Sequence, residues 1–142
     1  GYTNVSVLDV SSKSIEKTKK SLGLRSKLVN WIVSDINDFK PKYKYDLWHD
    51  RAAFHFLKNR FEINNYVKLL KSYLNVGADL IIATFSENGP LKCSGLEVSR
   101  YSKNSISNLF KNDFNLIESK ISIHNTPFDT TQEFLFTKFK KK

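Results

Sequence analysis

GYTNVSVLDVSS, residues 1–12, sets a short apolar run directly before an acid and a helix start. Val5, Ser6, Val7 and Leu8 predict a buried strand, Asp9 its end, and Ser11 or Ser12 the cap of a following helix. A strand that closes on a carboxylate and turns straight into a helix is the second strand of a nucleotide-binding α/β unit. The sequence contains no Met, and a first strand is expected to be missing ahead of Gly1.

Working outward, the apolar period alternates between two and 3.6 along the chain. Residues 12–22 read as a helix with Ile15, Thr18 and Leu22 on one face and Gly23 as its stop. Leu28–Val33 reads as a strand, Pro41–Lys44 as a loop and Tyr45–His49 as a strand. Ile63, Tyr66, Val67, Leu70, Tyr73 and Leu74 share helical spacing, which predicts a helix over 62–74. Asn75-Val76-Gly77 is expected to turn the chain into Asp79–Phe85, an apolar run suited to a strand covered on both faces. A polar loop over 86–101 and a short helix over 102–110 follow. Phe114–His124 and Gln132–Phe139 predict an antiparallel pair joined by a turn containing Pro127. The order β-α-β-β-α-β-α-β-β predicts an α/β sheet, mostly parallel with an antiparallel edge. No linker or repeat interrupts it, so residues 1–142 read as a single domain.

The chain has 142 residues, enough to bury a real core. Its formal net charge of +9 raises the question of an anionic partner. The excess is mostly Lys and is dispersed, which lacks the clustered footprint of a nucleic-acid binder. The tail Lys138, Lys140, Lys141 and Lys142 reads as a frayed end rather than a binding arm. One cysteine, Cys93, excludes an internal disulfide and a cysteine-based zinc site and fits a reducing cytoplasm. His49, His55 and His124 lack metal-ligand spacing, so no metal is expected. No apolar run approaches the roughly 18–20 residues that span a bilayer.

Ligands of open α/β sheets bind outside the carboxyl ends of the strands. The first end offers Asp9, either an acceptor for two ribose hydroxyls or a cap for the next helix. The second offers Ser34-Asp35-Ile36. Asp35 is placed to accept from an adenine amino group, with Ile36 against the ring, or else serves the turn. The third is DLWHDRAAFHFL, residues 46–57. Here Arg51 suits a carboxylate or phosphate, and His49 or His55 suits proton transfer. In the competing reading, Asp50 and Arg51 form a structural pair and the histidines pack. Later loops add Phe85, Cys93, Arg100, Tyr101 and His124.

Taken together, VLDVS (7–11), VSDIN (33–37), YDLWHDRAAFHFL (45–57), LNVGADLIIATF (74–85), CSGLEVSRYS (93–102) and HNTPFDTTQEF (124–134) resemble the class I S-adenosylmethionine-dependent methyltransferases, in particular a small bacterial branch. The segment after the fourth strand also resembles the loop of thiopurine-type enzymes. The resemblance implies a Rossmann-like sheet of order 3-2-1-4-5-7-6. On that resemblance the first strand, its glycine-rich loop and helix A are expected to be missing, and Gly1-Tyr2 resembles the end of that helix. Without the central strand, strands 2 and 3 part from the other four. The chain is then expected to be unstable unless strand 2 pairs with strand 4, and to be inactive by itself. Asp129 stands where the branch carries Gly, which strains the turn if positive φ is needed.

The resemblance further implies methyl transfer from S-adenosylmethionine to a small-molecule acceptor. Asp9, Val10, Ser34, Asp35, Ile36, Trp48 and His49 would hold the cofactor, and His49, His55 and Arg51 would be catalytic. Arg100, Tyr101 and His124 would face the substrate. Protein-lysine methylation, nicotinamide-dependent oxidoreduction at Asp9 and a non-catalytic basic binding domain are the alternatives.

Overall fold

The computed structural model describes residues 2–51, 53–126 and 129–142. Gly1 of the Gly1-Tyr2 pair, Ala52 in the 46–57 segment, Pro127 of the expected turn and Phe128 lie outside the described residues. The chain divides into two compact units, Gly1–Lys40 and Pro41–Lys142.

The first unit is β1 (Val5–Asp9), α1 (Ser12–Leu22), a 3-10 turn (Gly23–Leu28) and β2 (Val29–Val33). Ser11 caps α1, its Oγ accepting from the Ser14 amide at 3.2 Å. Gly23 ends the helix at φ 55°, and its amide reaches the carbonyls of Lys19 and Lys20. That conformation is open to glycine at little cost, which explains the stop. β1 and β2 run parallel, from Val5 beside Val29 to Asp9 beside Val33. They form a two-stranded sheet of their own. Among the described residues of this unit, Ile15 is the one fully buried apolar side chain, whereas Leu24 is 82 % and Leu28 74 % exposed. A two-stranded sheet with so small a core is marginal.

The second unit contains β3 (Tyr45–Arg51), α2 (Arg60–Tyr73), β4 (Leu74–Ser86), β5 (Lys92–Cys93), β6 (Leu96–Glu97), β7 (Arg100–Tyr101), α3 (Lys103–Phe110), β8 (Phe114–Asn125) and β9 (Thr131–Lys141). The sheet runs β3-β4-β9-β8, with β7 added beside the end of β4. β3 and β7 lie parallel to β4, while β9 lies antiparallel to both β4 and β8. The two sheets reproduce, as separate runs, the 3-2 and 4-5-7-6 portions of the expected order. α2 starts at a reciprocal cap: the Asn59 side chain accepts from the Glu62 amide at 2.9 Å, and Glu62 accepts from the Asn59 amide.

Several expectations change. The 75–77 turn is part of β4. Pairing with β3 jumps from Tyr45 beside Leu74 to Leu47 beside Asp79, so the extra residues bulge, with Gly77 at φ 76°. The polar 86–101 loop carries the β5–β6 hairpin and β7. It is also pinned: the Ser99 amide donates to the His55 carbonyl at 2.7 Å, and Ser99 Oγ to the Leu57 carbonyl at 3.1 Å. The lysine tail is neither frayed nor a free arm. Lys138 and Lys140 pair with Asp79 across the β4–β9 ladder. Lys141 Nζ donates to the Lys71 and Leu74 carbonyls at the end of α2. Lys142 Nζ does the same for Lys111 and Asn112 after α3. Cations there complement the negative helix ends. Asp129 lies at φ 55°, the left-handed conformation for which glycine is better suited.

Successive side chains of a strand face opposite sides. One side of the second unit's sheet is the main core, with Leu80, Ile82 and Phe139 under Leu70, Phe54 and Phe110. The Phe54 ring touches Tyr66, Tyr101 and Phe110 at 4.9, 5.3 and 5.7 Å. The other side holds a smaller cluster of Ala83, Phe85, Val98 and Phe134, with Phe56, Cys93 and Phe136 packed on it.

The unequal cores predict unequal protection. In native-state hydrogen exchange, amides of β1 and β2 should exchange about a hundredfold faster than those of β4 and β9. Uniform protection across the two units would contradict this.

Candidate functional site

The first unit gathers its candidates at one end of the β1–β2 sheet. The Ser34 amide donates to the Asp9 carbonyl at 3.2 Å, which brings the two strand ends level. Asp9 Oδ1 accepts from the Ser11 amide at 2.7 Å. Among the described residues no donor reaches Oδ2. Asp9 thus steadies the turn into α1 with one oxygen, while Ser11 supplies the cap, and it keeps an acceptor to spare. Asp35 is more occupied: its Oδ1 accepts from the Asn37 amide at 2.8 Å and from Asn37 Nδ2 at 3.1 Å. Ser34 Oγ donates to the Asp35 carbonyl at 2.9 Å. Val10 is 71 % exposed beside Asp9, and Ile36 is half-buried.

In the second unit, β3 divides its candidates between the two sides of the sheet. Trp48 packs edge-on against Tyr45 and Tyr66, at 5.6 and 6.4 Å. His49 lies beside Ile81 and Arg51 beside Ala83, on the side of the smaller cluster. Adjacent positions of a strand cannot line one wall, so Trp48 and His49 do not act together. Asp50 is buried, and its partners differ from those expected. Its Oδ1 accepts from the amides of Ala53 and Phe54, at 3.0 and 3.1 Å. Its Oδ2 accepts from the Tyr66 hydroxyl at 2.7 Å. Burial and the neighbouring carboxylate push the Tyr66 phenol well above the ordinary range. Arg51, instead of pairing with Asp50, lays its guanidinium over the Phe134 ring at 5.5 Å.

Phe134 is the side chain that sequence reasoning passed over. The His124 ring lies 6.5 Å away edge-on, and Phe85 and Phe136 pack on it at 4.8 and 6.2 Å. Arg51 and His124, from strands 73 positions apart in sequence, thus meet around one ring. The available signal was its place in the 124–134 segment, where it alternates with Gln132 and Phe136 on one face.

Three other candidates are differently placed. His55 is fully buried, 4.7 Å from the Phe56 ring and 4.9 Å from that of Phe85. Among the described residues neither ring nitrogen has a hydrogen-bond partner. Burial disfavours the charged form and brings its pKa down to about 4. Arg100 donates through Nη1 to the carbonyls of Glu87 and Gly89, at 2.6 and 3.2 Å, and so clasps the turn after β4. Gly89 is required there, because a Cβ would lie 2.7 Å from the Glu133 carbonyl oxygen. Tyr101 is buried against Phe54, and burial raises its phenol. His55 and Tyr101 are buried within the fold, whereas Arg100 is exposed and bound to backbone carbonyls. Among the described residues no cluster of His, Cys, Asp and Glu is fit to hold a metal, and no helix is long and apolar enough to cross a membrane.

No family model matches the chain. Malonyl-[acyl-carrier protein] O-methyltransferase 2 of Ilyobacter polytropus is 31 % identical over 86 residues, 61 % of this chain and 32 % of the relative. The chain therefore spans about a third of the length of the curated relatives it matches. The N-methyltransferase NodS of Bradyrhizobium japonicum, in complex with S-adenosylhomocysteine, superposes with a TM-score of 0.74 at 15 % identity, over 97 % of this chain and 66 % of that one. The 1,6-didemethyltoxoflavin-N1-methyltransferase of Burkholderia thailandensis gives 0.74 at 13 % identity, over 98 % and 61 %. The fold is that of the S-adenosylmethionine-dependent methyltransferases, a Rossmann-like α/β sheet with an antiparallel pair at its far edge.

His55 sets a pH dependence. With a folded pKa of about 4 and an ordinary value of 6.5, the unfolded chain takes up the proton first. Stability is then complete above pH 6.5 and falls as pH drops towards 4, by about 3 kcal/mol in all from this residue. His55→Leu should fold at least as stably at pH 7 and lose this part of the acid sensitivity in urea titrations. An unchanged acid dependence would show that His55 is not its source.

Proposed function

We propose that the protein is an S-adenosylmethionine-dependent methyltransferase acting on a small-molecule acceptor. The observation that carries this reading is Asp9, a half-buried carboxylate at the carboxyl end of β1 with one oxygen committed to the Ser11 amide and the other open. An acceptor-only group in that place suits a ribose diol and repels a phosphorylated ribose. The fold supports it, as do the methyltransferase names of the relatives.

The nucleoside end is assigned to the first unit. Asp9 accepts from the ribose hydroxyls. Asp35 accepts from the adenine amino group, with Ile36 and the exposed Val10 as apolar contacts and Ser34 fixing the turn. The cofactor supplies a methyl group already activated on a sulfonium.

The acceptor side is assigned to the second unit. There Arg51, His124 and Phe134 offer a cation, an imidazole and an aromatic face. Arg51 orients an acidic group of the acceptor. His49, exposed beside Ile81, removes the acceptor's proton. Trp48, His55 and Tyr101 hold these groups in place from within the fold, and the exposed Arg100 fixes the turn after β4. The 1,6-didemethyltoxoflavin for which one structural relative is named supports a small molecule over a protein lysine, whereas the curated relatives are named for a malonyl-[acyl-carrier protein] acceptor. A single cysteine is in keeping with a reducing compartment such as the cytoplasm.

Calorimetric titration of the gene's complete product with S-adenosylhomocysteine tests this reading. One site per chain is expected, and Asp9→Ala should weaken it about ten- to a hundredfold, the loss of hydrogen bonds to a charged acceptor. Binding of NAD in place of S-adenosylhomocysteine, or affinity indifferent to Asp9→Ala, would overturn the assignment.

A further inference from the structure

β8 ends the β3-β4-β9-β8 run, so among the described residues its outer edge carries no strand. It is 12 residues long, about twice the usual strand. A long edge presents a row of backbone donors and acceptors ready for another strand. It is also apolar: Ile117, Ile121 and Ile123 are 58 %, 49 % and 65 % exposed. They alternate with Glu118, Lys120 and Ser122, and both charged residues are exposed. Among the described residues neither Glu118 nor Lys120 has an ion-pair partner.

The segment Ile117-Glu118-Ser119-Lys120-Ile121 is complementary to itself when reversed. We propose that β8 pairs antiparallel with β8 of a second copy of this chain, about a twofold axis at Ser119. In that register Glu118 faces Lys120 of the partner subunit, and Ile121 of the partner subunit lies opposite the bulge at Ile117. The symmetry repeats the charge pair, so the interface has two opposite-charge pairs flanked by exposed isoleucines. Such cross-strand pairs are the units of sheet stabilisation, and one patch meeting its own copy is the common form of a closed dimer.

Neighbouring registers lose this match. An axis at Lys120 sets that lysine against itself. An axis at Ile121 sets Glu118 against His124 and Lys120 against Ser122. The bulge between Leu116 and Glu118 and the lone Lys120 are devices that ordinarily keep an edge from pairing. Here the lysine excludes the Lys120-centred register and rewards the one at Ser119. A formal charge of +9 on each copy opposes general association, so contact depends on this matched segment.

Sedimentation equilibrium of the 142-residue chain over a wide concentration range tests the proposal. A monomer–dimer equilibrium is expected. Glu118→Lys and Lys120→Glu should each raise its dissociation constant about tenfold, as two favourable charge pairs become unfavourable. The combined Glu118→Lys/Lys120→Glu swap should restore it to within about threefold, with circular dichroism showing that each variant is folded. Lys120→Glu is the sharper arm. It lowers the net positive charge, so general electrostatics predicts tighter association, whereas the register predicts weaker. A chain that stays monomeric, a dimer tightened by Lys120→Glu, or a swap that fails to rescue would each overturn the proposal.

Discussion

The Asp50 carboxylate is the constraint on which the second unit depends. Taking a carboxylate out of water is costly unless its oxygens are satisfied. Here three donors satisfy them: two backbone amides of the turn after β3 and the hydroxyl of Tyr66 in α2. The group therefore joins a strand end, the turn that leaves it and the helix that packs above it. Phe54 follows directly, and its ring is placed at the centre of the aromatic core between Tyr66, Tyr101 and Phe110. With Asp50 held on the core side, the period of the strand turns His49 and Arg51 to the opposite side. One buried acid thus determines which of its neighbours are available for chemistry.

That division explains how the candidate groups sort. On the core side, Trp48 and Tyr101 are packing residues despite their polar atoms. On the other side, Arg51 and His124 converge on Phe134, which rests on Phe85 and Phe136. His55 lies under this cluster as an uncharged ring between Phe56 and Phe85, with no hydrogen bond to its nitrogens among the described residues. A histidine that stays neutral there adds bulk without adding charge below the exposed Arg51. In the first unit a different economy holds: the polar rim of Asp9, Ser34 and Asp35 is well ordered by backbone contacts, but little apolar surface is buried beneath it.

Much of the fold was legible because the periodicity is strong. Ile63, Tyr66, Val67 and Leu70 marked α2 to within two residues at its start. The run Asp79–Phe85 marked the middle of β4, and the terminal antiparallel pair was visible as two alternating stretches. What local sequence could not show was partnership. β7 is only Arg100 and Tyr101, a strand by virtue of the β4 end beside it. The extension of β4 back to Leu74 depends on a bulge against β3. The lysines at the end read as a solvated tail because nothing nearby in sequence announces Asp79 or the carbonyls of two helix ends. The opposite orientation of Trp48 and His49 was available from the period of a strand. The Asp50–Tyr66 contact was not, since 16 residues and a turn separate the pair.

A double-mutant cycle on Asp50 and Tyr66 tests the anchor most directly. Unfolding free energies of the native chain, Asp50→Asn, Tyr66→Phe and the double variant would be measured by urea titration at pH 7. The account predicts that each single change destabilises the protein and that the two are coupled by about 1–2 kcal/mol, the range for partners in one buried polar contact. Strictly additive effects would mean that the carboxylate and the phenol do not depend on each other, and that β3, its turn and α2 are held together by something else.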